Sequence, residues 1–144
     1  MVDGVTIMVS RNLSRYTEAA PPNDMSRRHK IAGGPLYPVD ELMDLLRRQC
    51  VRVVTAQARR DIAGLALDAE EVSTLISDAL RSGRYKDSEW CLLNGQDCWA
   101  ACDSYVLMRE EWNGVVGRDL PVEYFVKIAI ARTGVVVLVV SCHL

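Results

Sequence analysis

Residues 123–144 read EYFVKIAIARTGVVVLVVSCHL, two apolar runs separated by a turn around Gly134. Apolar, β-branched runs bounded by a glycine turn are typical of a β-hairpin. Lys127 interrupts the first run and His143 follows the second. A sheet that carries ionisable side chains on such strands is a candidate chemical surface.

The register of this hairpin decides which side chains share a face with His143, because neighbouring residues of a strand point to opposite faces. A two-residue turn puts Tyr124 opposite His143. A three-residue loop puts Phe125 opposite His143 and Lys127 opposite Ser141. Thr-Gly is a weaker two-residue turn pair than Asn-Gly, which favours the three-residue loop.

Further strands precede the hairpin. The segments WCLL (90–93) and CWAACDSYVLM (98–108) flank an Asn94-Gly95 turn signal. The spacing of apolar residues therefore changes from a helical to a strand pattern at Trp90. Residues 84–89, which precede it, are expected to form a charged loop. A polar stretch with two glycines connects residue 108 to the final hairpin.

Helical patterns fill the region before these strands. A helix is predicted to start at Pro38 and to end near Arg48, followed by a short strand over residues 51–55. A second helix is predicted over residues 56–63. A third helix is predicted to begin after Asp68, because residues 68–71 (DAEE) have the aspartate and glutamate of a capping box, and to end at Gly83. The predicted fold class is α+β, with about three N-terminal helices packed on a C-terminal antiparallel sheet.

The first 34 residues are predicted to be a flexible N-terminal extension to a single domain over residues 35–144. They contain prolines, paired glycines and the basic cluster of residues 27–30. VTIMVS (5–10) is a possible short strand, and Met25 is a possible alternative start. The basic cluster is either a solvated run or a contact to RNA phosphate or the ribosome.

The composition excludes some classes of function. The 144 residues carry a formal net charge of −2, so binding of nucleic acid through bulk positive charge is not expected. The sequence has no run of 18 apolar residues, so no membrane span is predicted. Five cysteines without a secretion signal indicate reduced thiols and a cytoplasmic location.

A zinc site is one alternative use of the cysteines. On a strand, Cys98 and Cys102 would share a face but lie about 13 Å apart, which is too far for one tetrahedral ion. Buried free thiols are the preferred interpretation, and no metal or other cofactor is expected.

The ordered set YKDS, WAACDSY, YFVKI and VVSCH, after VRVVT and LALDAEEV, resembles the MqsR family of bacterial type II toxins, in the RelE-like superfamily. The resemblance covers roughly residues 36–144. It implies a RelE-like fold and a metal-independent endoribonuclease that cuts messenger RNA. It also implies a cognate antitoxin, possible action on the ribosome, and attack by the ribose 2′-hydroxyl to leave a 2′,3′-cyclic phosphate.

The resemblance also implies the site residues. The family's active-site lysine falls on Lys86. Its tyrosine-x-lysine strand matches Phe125 to Lys127, with the tyrosine either replaced by Phe125 or moved to Tyr124. Two positions depart from the family, because Cys102 stands at its functional glutamine and His143 at its terminal lysine. The predicted catalytic and supporting residues are Lys86, Tyr124, Lys127, His143, Asp103, Tyr105 and Ser141.

These residue types suit RNA cleavage. The imidazole of His143 can act as base or acid near neutral pH, and two lysines can stabilise a charged phosphorane. Tyr105 or Tyr124 can donate to a phosphate or stack on a base, and Asp103 can orient a neighbour. Each lysine also has an ordinary interpretation as a solvated charge. The competing hypotheses are a catalytically inactive module that binds an antitoxin or RNA, and a zinc-bound structural protein.

Overall fold

A computed structural model describes residues 11–23, 29–93 and 98–144. Within them lie three helices and seven strands. In chain order they are β1 (Arg11–Asn12), β2 (His29–Ile31), α1 (Val39–Arg47), β3 (Val51–Val53), α2 (Ala56–Gly64), α3 (Ala69–Ser82), β4 (Arg84–Leu93), β5 (Cys98–Asn113), β6 (Arg118–Ile130) and β7 (Val137–His143).

All seven strands belong to one mixed sheet with the order β2-β4-β5-β6-β7-β3, and β1 pairs with β5. The pairs β1–β5 and β3–β7 are parallel, whereas the other pairs are antiparallel. The predicted RelE-like α+β fold, with helices followed by an antiparallel sheet, is therefore wrong. Strands dominate the described chain, and β1 and β2 join the sheet from within the segment expected to be an extension. The short strand predicted over residues 51–55 is observed as β3, but it pairs in parallel with β7.

The helices begin and end where local chemistry predicted. Asp68 accepts from the backbone of Glu71, whose side chain accepts from the backbone of Asp68, so the predicted capping box is confirmed. Thr55 caps α2 by accepting from the amide of Ala58. Gly83 follows α3 and leads directly into β4.

The core lies between the sheet and the helices α1 and α3. Leu42 of α1 and Leu75 and Ile76 of α3 are fully buried, as is Ile128 of β6. These apolar side chains fall at helical spacing on one face of each helix, so their burial against the strands stabilises both layers. No helix in the described ranges is long and apolar enough to cross a membrane.

Parts of the first 34 residues contribute to the sheet. Beyond β1, the amide of Leu13 donates to Trp99 of β5, and the amide of Arg15 donates to Ile130 of β6. This segment therefore fits between the ends of those two strands. The division of the chain at residue 34 stays a prediction. Three predicted features lie outside the described residues: the strand at 5–10, the start at Met25 and the Asn94-Gly95 turn. The basic cluster is described only at its last two residues, which lie in β2.

Candidate functional site

The face of β6 that carries Lys127 also carries a row of polar side chains from its neighbours. Directly paired residues share a face, and the pairing runs from Asp87 to Ser104, from Ser104 to Lys127 and from Lys127 to Ser141. Four strands thus align four polar residues across the sheet. The next pairs along the same face are Val106–Phe125 and Phe125–His143.

A pocket of about 190 Å³ opens on this face. Its wall includes Lys86, Lys127 and His143, three of the four residues predicted to be catalytic, and Phe125 lies among them. The sequence thus identified three side chains that are distant along the chain and that the fold brings to one place.

Phe125 organises the pocket. The His143 ring stacks on the Phe125 ring with centroids 5.6 Å apart and an interplanar angle of 24°. The Nζ atom of Lys86 lies 5.7 Å from the same centroid. One half-buried aromatic ring of β6 therefore contacts an imidazole from the adjacent strand β7 and an ammonium group from β4, two strands away.

Two β-bulges frame the pocket. The register of β4 and β5 shifts between Tyr85 and Asp87, which makes Lys86 an extra residue. The register of β6 and β7 shifts between Lys127 and Ile128, which leaves Val140 as an extra residue. Bulges re-aim side chains and occur often next to functional sites.

The second bulge also gives the hairpin its register. Phe125 faces His143 and Lys127 faces Ser141, so the favoured pairing is confirmed. This pairing was expected to result from a three-residue loop, but it results from the bulge. Near the turn, the amide of Ala131 donates to Val136, which is the register of a shorter loop, and the bulge at Val140 then shifts the pairing by one residue.

His143 is exposed, and its Nδ1 atom lies 2.9 Å from the carbonyl oxygen of Leu144. A carbonyl oxygen can only accept, so Nδ1 carries the proton in this contact. The Nε2 atom of the neutral ring is then left as an acceptor, which is the protonation state required of a general base.

Lys127 is engaged by a buried acid that the sequence did not single out. Its Nζ atom forms an ion pair with Glu89, whose side chain is only 3% exposed, and the second Glu89 oxygen lies 3.4 Å from Lys30. Burial raises the pKa of Glu89, but the hydrogen bond from Lys127 and the two positive charges outweigh it and leave that pKa below its ordinary value. Glu89 belongs to β4, where a charged loop was expected, and its period-two spacing from Asp87 was the available signal.

The structure separates Tyr124 from the pocket. Tyr124 pairs with Leu107 and so lies on the opposite face of β6 from Phe125 and Lys127. Its hydroxyl donates to Glu111 at 2.6 Å, and the Arg109 guanidinium lies 5.4 Å from its ring centroid. Burial, and then the hydrogen bond to Glu111, raise the pKa of Tyr124 to about 12.

Asp103 also faces away from the pocket. It pairs with Ser88 and accepts from the Ser88 hydroxyl at 2.6 Å and from the amides of Leu36 and Tyr37 at 2.9 and 3.1 Å. Burial raises the pKa of Asp103, although these hydrogen bonds oppose the rise. Asp103 thus anchors the chain before α1 to the sheet, instead of orienting a pocket residue.

Tyr105 pairs with Val126 and borders the pocket, but its hydroxyl is buried without a hydrogen-bond partner among the described residues. Burial, and then the charge of Asp103, raise the pKa of Tyr105 to about 12. Ser141 lies beside Lys127 in the polar row. Of the three predicted supporting residues, only Ser141 shares the face of His143.

Cys102 is fully buried, and burial strongly raises its pKa. All five cysteines are free thiols. Among the described residues, no three histidine, cysteine or acidic side chains are close enough together to hold a metal ion.

No protein-family model, no curated protein and no solved structure matches this chain. The pocket geometry and the chemistry of its residues are therefore the basis for assigning a function.

Proposed function

We propose that the protein is a metal-independent endoribonuclease, the toxin of a type II toxin–antitoxin pair, and that RNA is cut in the pocket beside Phe125. The observation that carries the proposal is the convergence of His143 and Lys86 on one aromatic ring, at 5.6 and 5.7 Å from its centroid. Cleavage through the 2′-hydroxyl uses a base and a cation, and an aromatic ring is a surface on which single-stranded RNA binds.

In the proposed reaction, Nε2 of His143 removes the proton of a ribose 2′-hydroxyl. The 2′-oxygen attacks the adjacent phosphorus, and the bond from phosphorus to the 5′-oxygen breaks, which yields a 2′,3′-cyclic phosphate. Lys86 stabilises the phosphorane and gives a proton to the leaving 5′-oxygen. No carboxylate in the described chain lies within ion-pair distance of Lys86, so its charge is available to a phosphate.

Lys127 has a secondary part in this proposal. Its ammonium group is already neutralised by Glu89, and its side chain is 24% exposed. It can donate a hydrogen bond to a phosphate oxygen, but it adds little net charge to the pocket. Phe125 supplies the ring on which a nucleobase stacks next to the scissile phosphate.

The substrate proposed is messenger RNA, and the partner proposed is a cognate antitoxin, as the resemblance to the MqsR family implies. Action on the ribosome belongs to the same proposal. A cytoplasmic location is proposed with it, supported by the five free thiols.

A second candidate function is that of a binding module that uses the same pocket residues but does not cleave RNA. One observation favours it: two of the four residues expected to be catalytic are engaged elsewhere, since Glu89 holds Lys127 and Tyr124 lies on the opposite face. Such a module would bind RNA or an antitoxin through Lys86, Phe125 and His143 without cutting.

Expression in bacteria tests the proposal. We expect the wild type to arrest growth and to fragment messenger RNA, and His143→Ala and Lys86→Ala to do neither. Tyr124→Phe is the matched control, because Tyr124 lies on the opposite face of β6 from Phe125 and outside the pocket, and the variant should remain toxic. Equal growth and intact messenger RNA with wild type and His143→Ala would contradict the proposal and leave the binding module.

A further inference from the structure

The hairpin of β5 and β6 extends beyond the rest of the sheet. The last residue of β5 paired with β4 is Val106, and the first residue of β6 paired with β7 is Phe125. Residues 107–124 therefore form a two-stranded ribbon that has no neighbouring strand on either side in the described part of the chain. An isolated two-stranded ribbon is only marginally stable in water, which makes this one a candidate for contact with another molecule.

One face of the ribbon is exposed along its whole length. Alternation and pairing assign six residues to that face, and all six are exposed. We call it the acidic ribbon face. Its members are Met108, Glu110, Trp112, Asp119, Pro121 and Glu123.

Large apolar side chains on this face are unusually open to solvent. Trp112 is 68% exposed and Met108 is 56% exposed, and at the tip Val115 and Val116 are 98% and 52% exposed. Tryptophan and methionine are enriched at the centres of protein interfaces, where single tryptophans often contribute most of the affinity.

The charges on the acidic ribbon face indicate which kind of molecule can bind there. Glu110, Asp119 and Glu123 all lie on it, and in the described part of the chain none of the three has a cationic partner. The ribbon arginines lie elsewhere, because Arg109 pairs with Val122, and Arg118 pairs with Asn113, on the other face. The face therefore carries three uncompensated negative charges around its exposed tryptophan.

We propose that the acidic ribbon face docks a cationic segment of a partner protein, in which lysine or arginine side chains flank apolar ones. Nucleic acid is disfavoured because the carboxylates repel phosphates. A second copy of this chain is disfavoured because a two-fold contact would bring the same carboxylates face to face. This inference does not require the proposed ribonuclease activity.

The position of the face gives the docking a consequence. Met108 pairs with Glu123, and the next pair on the same face is Val106 with Phe125. A step of two residues along a strand is about 7 Å. A segment seated on the acidic ribbon face therefore reaches the mouth of the pocket and competes with any ligand stacked on Phe125.

Binding of a synthetic probe tests the proposal on the full chain. The probe is a fluorescently labelled 12-residue peptide of alternating lysine and leucine, measured by polarisation. A glutamate–leucine peptide of equal length and a single-stranded RNA are the comparison probes. We expect the acidic peptide to bind at least about tenfold more weakly than the cationic peptide, a difference of about 1.4 kcal/mol. RNA bound in the pocket should keep its affinity in Trp112→Ala, because the acidic ribbon face does not hold it.

Variants assign the binding to the face. The double variant Glu110→Lys with Glu123→Lys should weaken the cationic peptide by about tenfold or more, and so should Trp112→Ala, which leaves the charge unchanged. The matched control is the double variant Glu18→Lys with Glu70→Lys, which changes the net charge by the same amount at exposed positions elsewhere. It should retain binding. All these positions are exposed, so circular dichroism should show folded protein throughout.

Four outcomes would overturn the proposal. They are no binding of the cationic peptide, equal binding of the acidic peptide or RNA binding that Trp112→Ala weakens, equal loss of binding in the control pair, and a homodimer that Trp112→Ala dissolves.

Discussion

The ammonium group of Lys127 contacts the carboxylate of Glu89, a side chain that is only 3% exposed. Removing one partner of a buried ion pair leaves the other charge without compensation, which costs about 3–5 kcal/mol. We therefore expect Lys127→Met to lower the free energy of unfolding at neutral pH by about 3 kcal/mol, measured by urea denaturation. Lys30→Met is the control, because Lys30 is 54% exposed and its pairs should contribute less than about 1 kcal/mol. Equal effects of the two substitutions would contradict this account.

The same pair predicts a pH dependence. The pKa of Glu89 in the folded protein lies below its ordinary value of 4.5, despite burial, because Lys127 and Lys30 favour the ionised form. Its contribution to stability is therefore present above pH 4.5 and is lost as the pH falls through the lower folded-state pKa. The difference in unfolding free energy between wild type and Glu89→Gln should shrink below pH 4.5. A difference that stays constant from pH 7 to pH 3 would count against the ion pair.

Loss of the hydroxyl should destabilise the protein at one buried tyrosine and not at another. The Tyr124 hydroxyl donates to Glu111, so Tyr124→Phe should lower the free energy of unfolding by about 1 kcal/mol. The Tyr105 hydroxyl is buried without a partner in the described ranges, so Tyr105→Phe should be neutral or stabilising. Thermal denaturation of both variants checks the prediction, and a larger loss in Tyr105→Phe would show that its hydroxyl has a partner.

Asp103 should matter for folding. Asp103→Ala removes the acceptor of two backbone amides and of the Ser88 hydroxyl, and we expect it to lower the free energy of unfolding by about 3 kcal/mol. Asp103→Asn keeps one acceptor oxygen and should cost less. If Asp103→Asn instead remained fully stable but lost RNA cleavage, Asp103 would belong to the site.

RNA binding should depend on Phe125 and Lys86. Loss of a stacking ring costs about 1–3 kcal/mol per base, so Phe125→Ala should weaken binding of single-stranded RNA by about tenfold. Lys86→Ala should reduce the slope of log affinity against log salt by about 0.7, the value for one phosphate contact on a single strand. Filter binding over a salt series measures both. Unchanged affinity and slope would remove the pocket as the RNA site.

The helices could be predicted because their signals are local. The Asp68 capping box, the spacing of apolar residues in α3 and the stop at Gly83 all act within one helix, and each is observed. The sheet could not be predicted to the same degree. β1 and β2 are two and three residues long, and they are defined by partners on β5 and β4 that are distant in sequence. Such pairing leaves little local pattern, so the mixed topology was missed.

The site was predicted in part for a similar reason. Lys127 interrupts an apolar strand and His143 follows one, and that anomaly is visible in the sequence. Lys86 lies in a charged stretch and was predicted only through the resemblance. The face that each strand presents depends on the bulges at Lys86 and Val140, and a bulge in an apolar run such as VVVLVV has no clear sequence signal. Tyr124 and Asp103 were grouped with the pocket because the sequence did not define their faces.

The cut ends of a defined RNA report whether His143 activates a ribose 2′-hydroxyl in the pocket. Purified protein is incubated in EDTA with a single-stranded RNA, and the products are compared with those of His143→Ala and of an RNA with a 2′-deoxy nucleotide at the cut position. The account predicts 2′,3′-cyclic phosphate and 5′-hydroxyl ends with the wild type, and intact RNA in both comparisons. Intact RNA with the wild type, or undiminished cutting by His143→Ala, would contradict it.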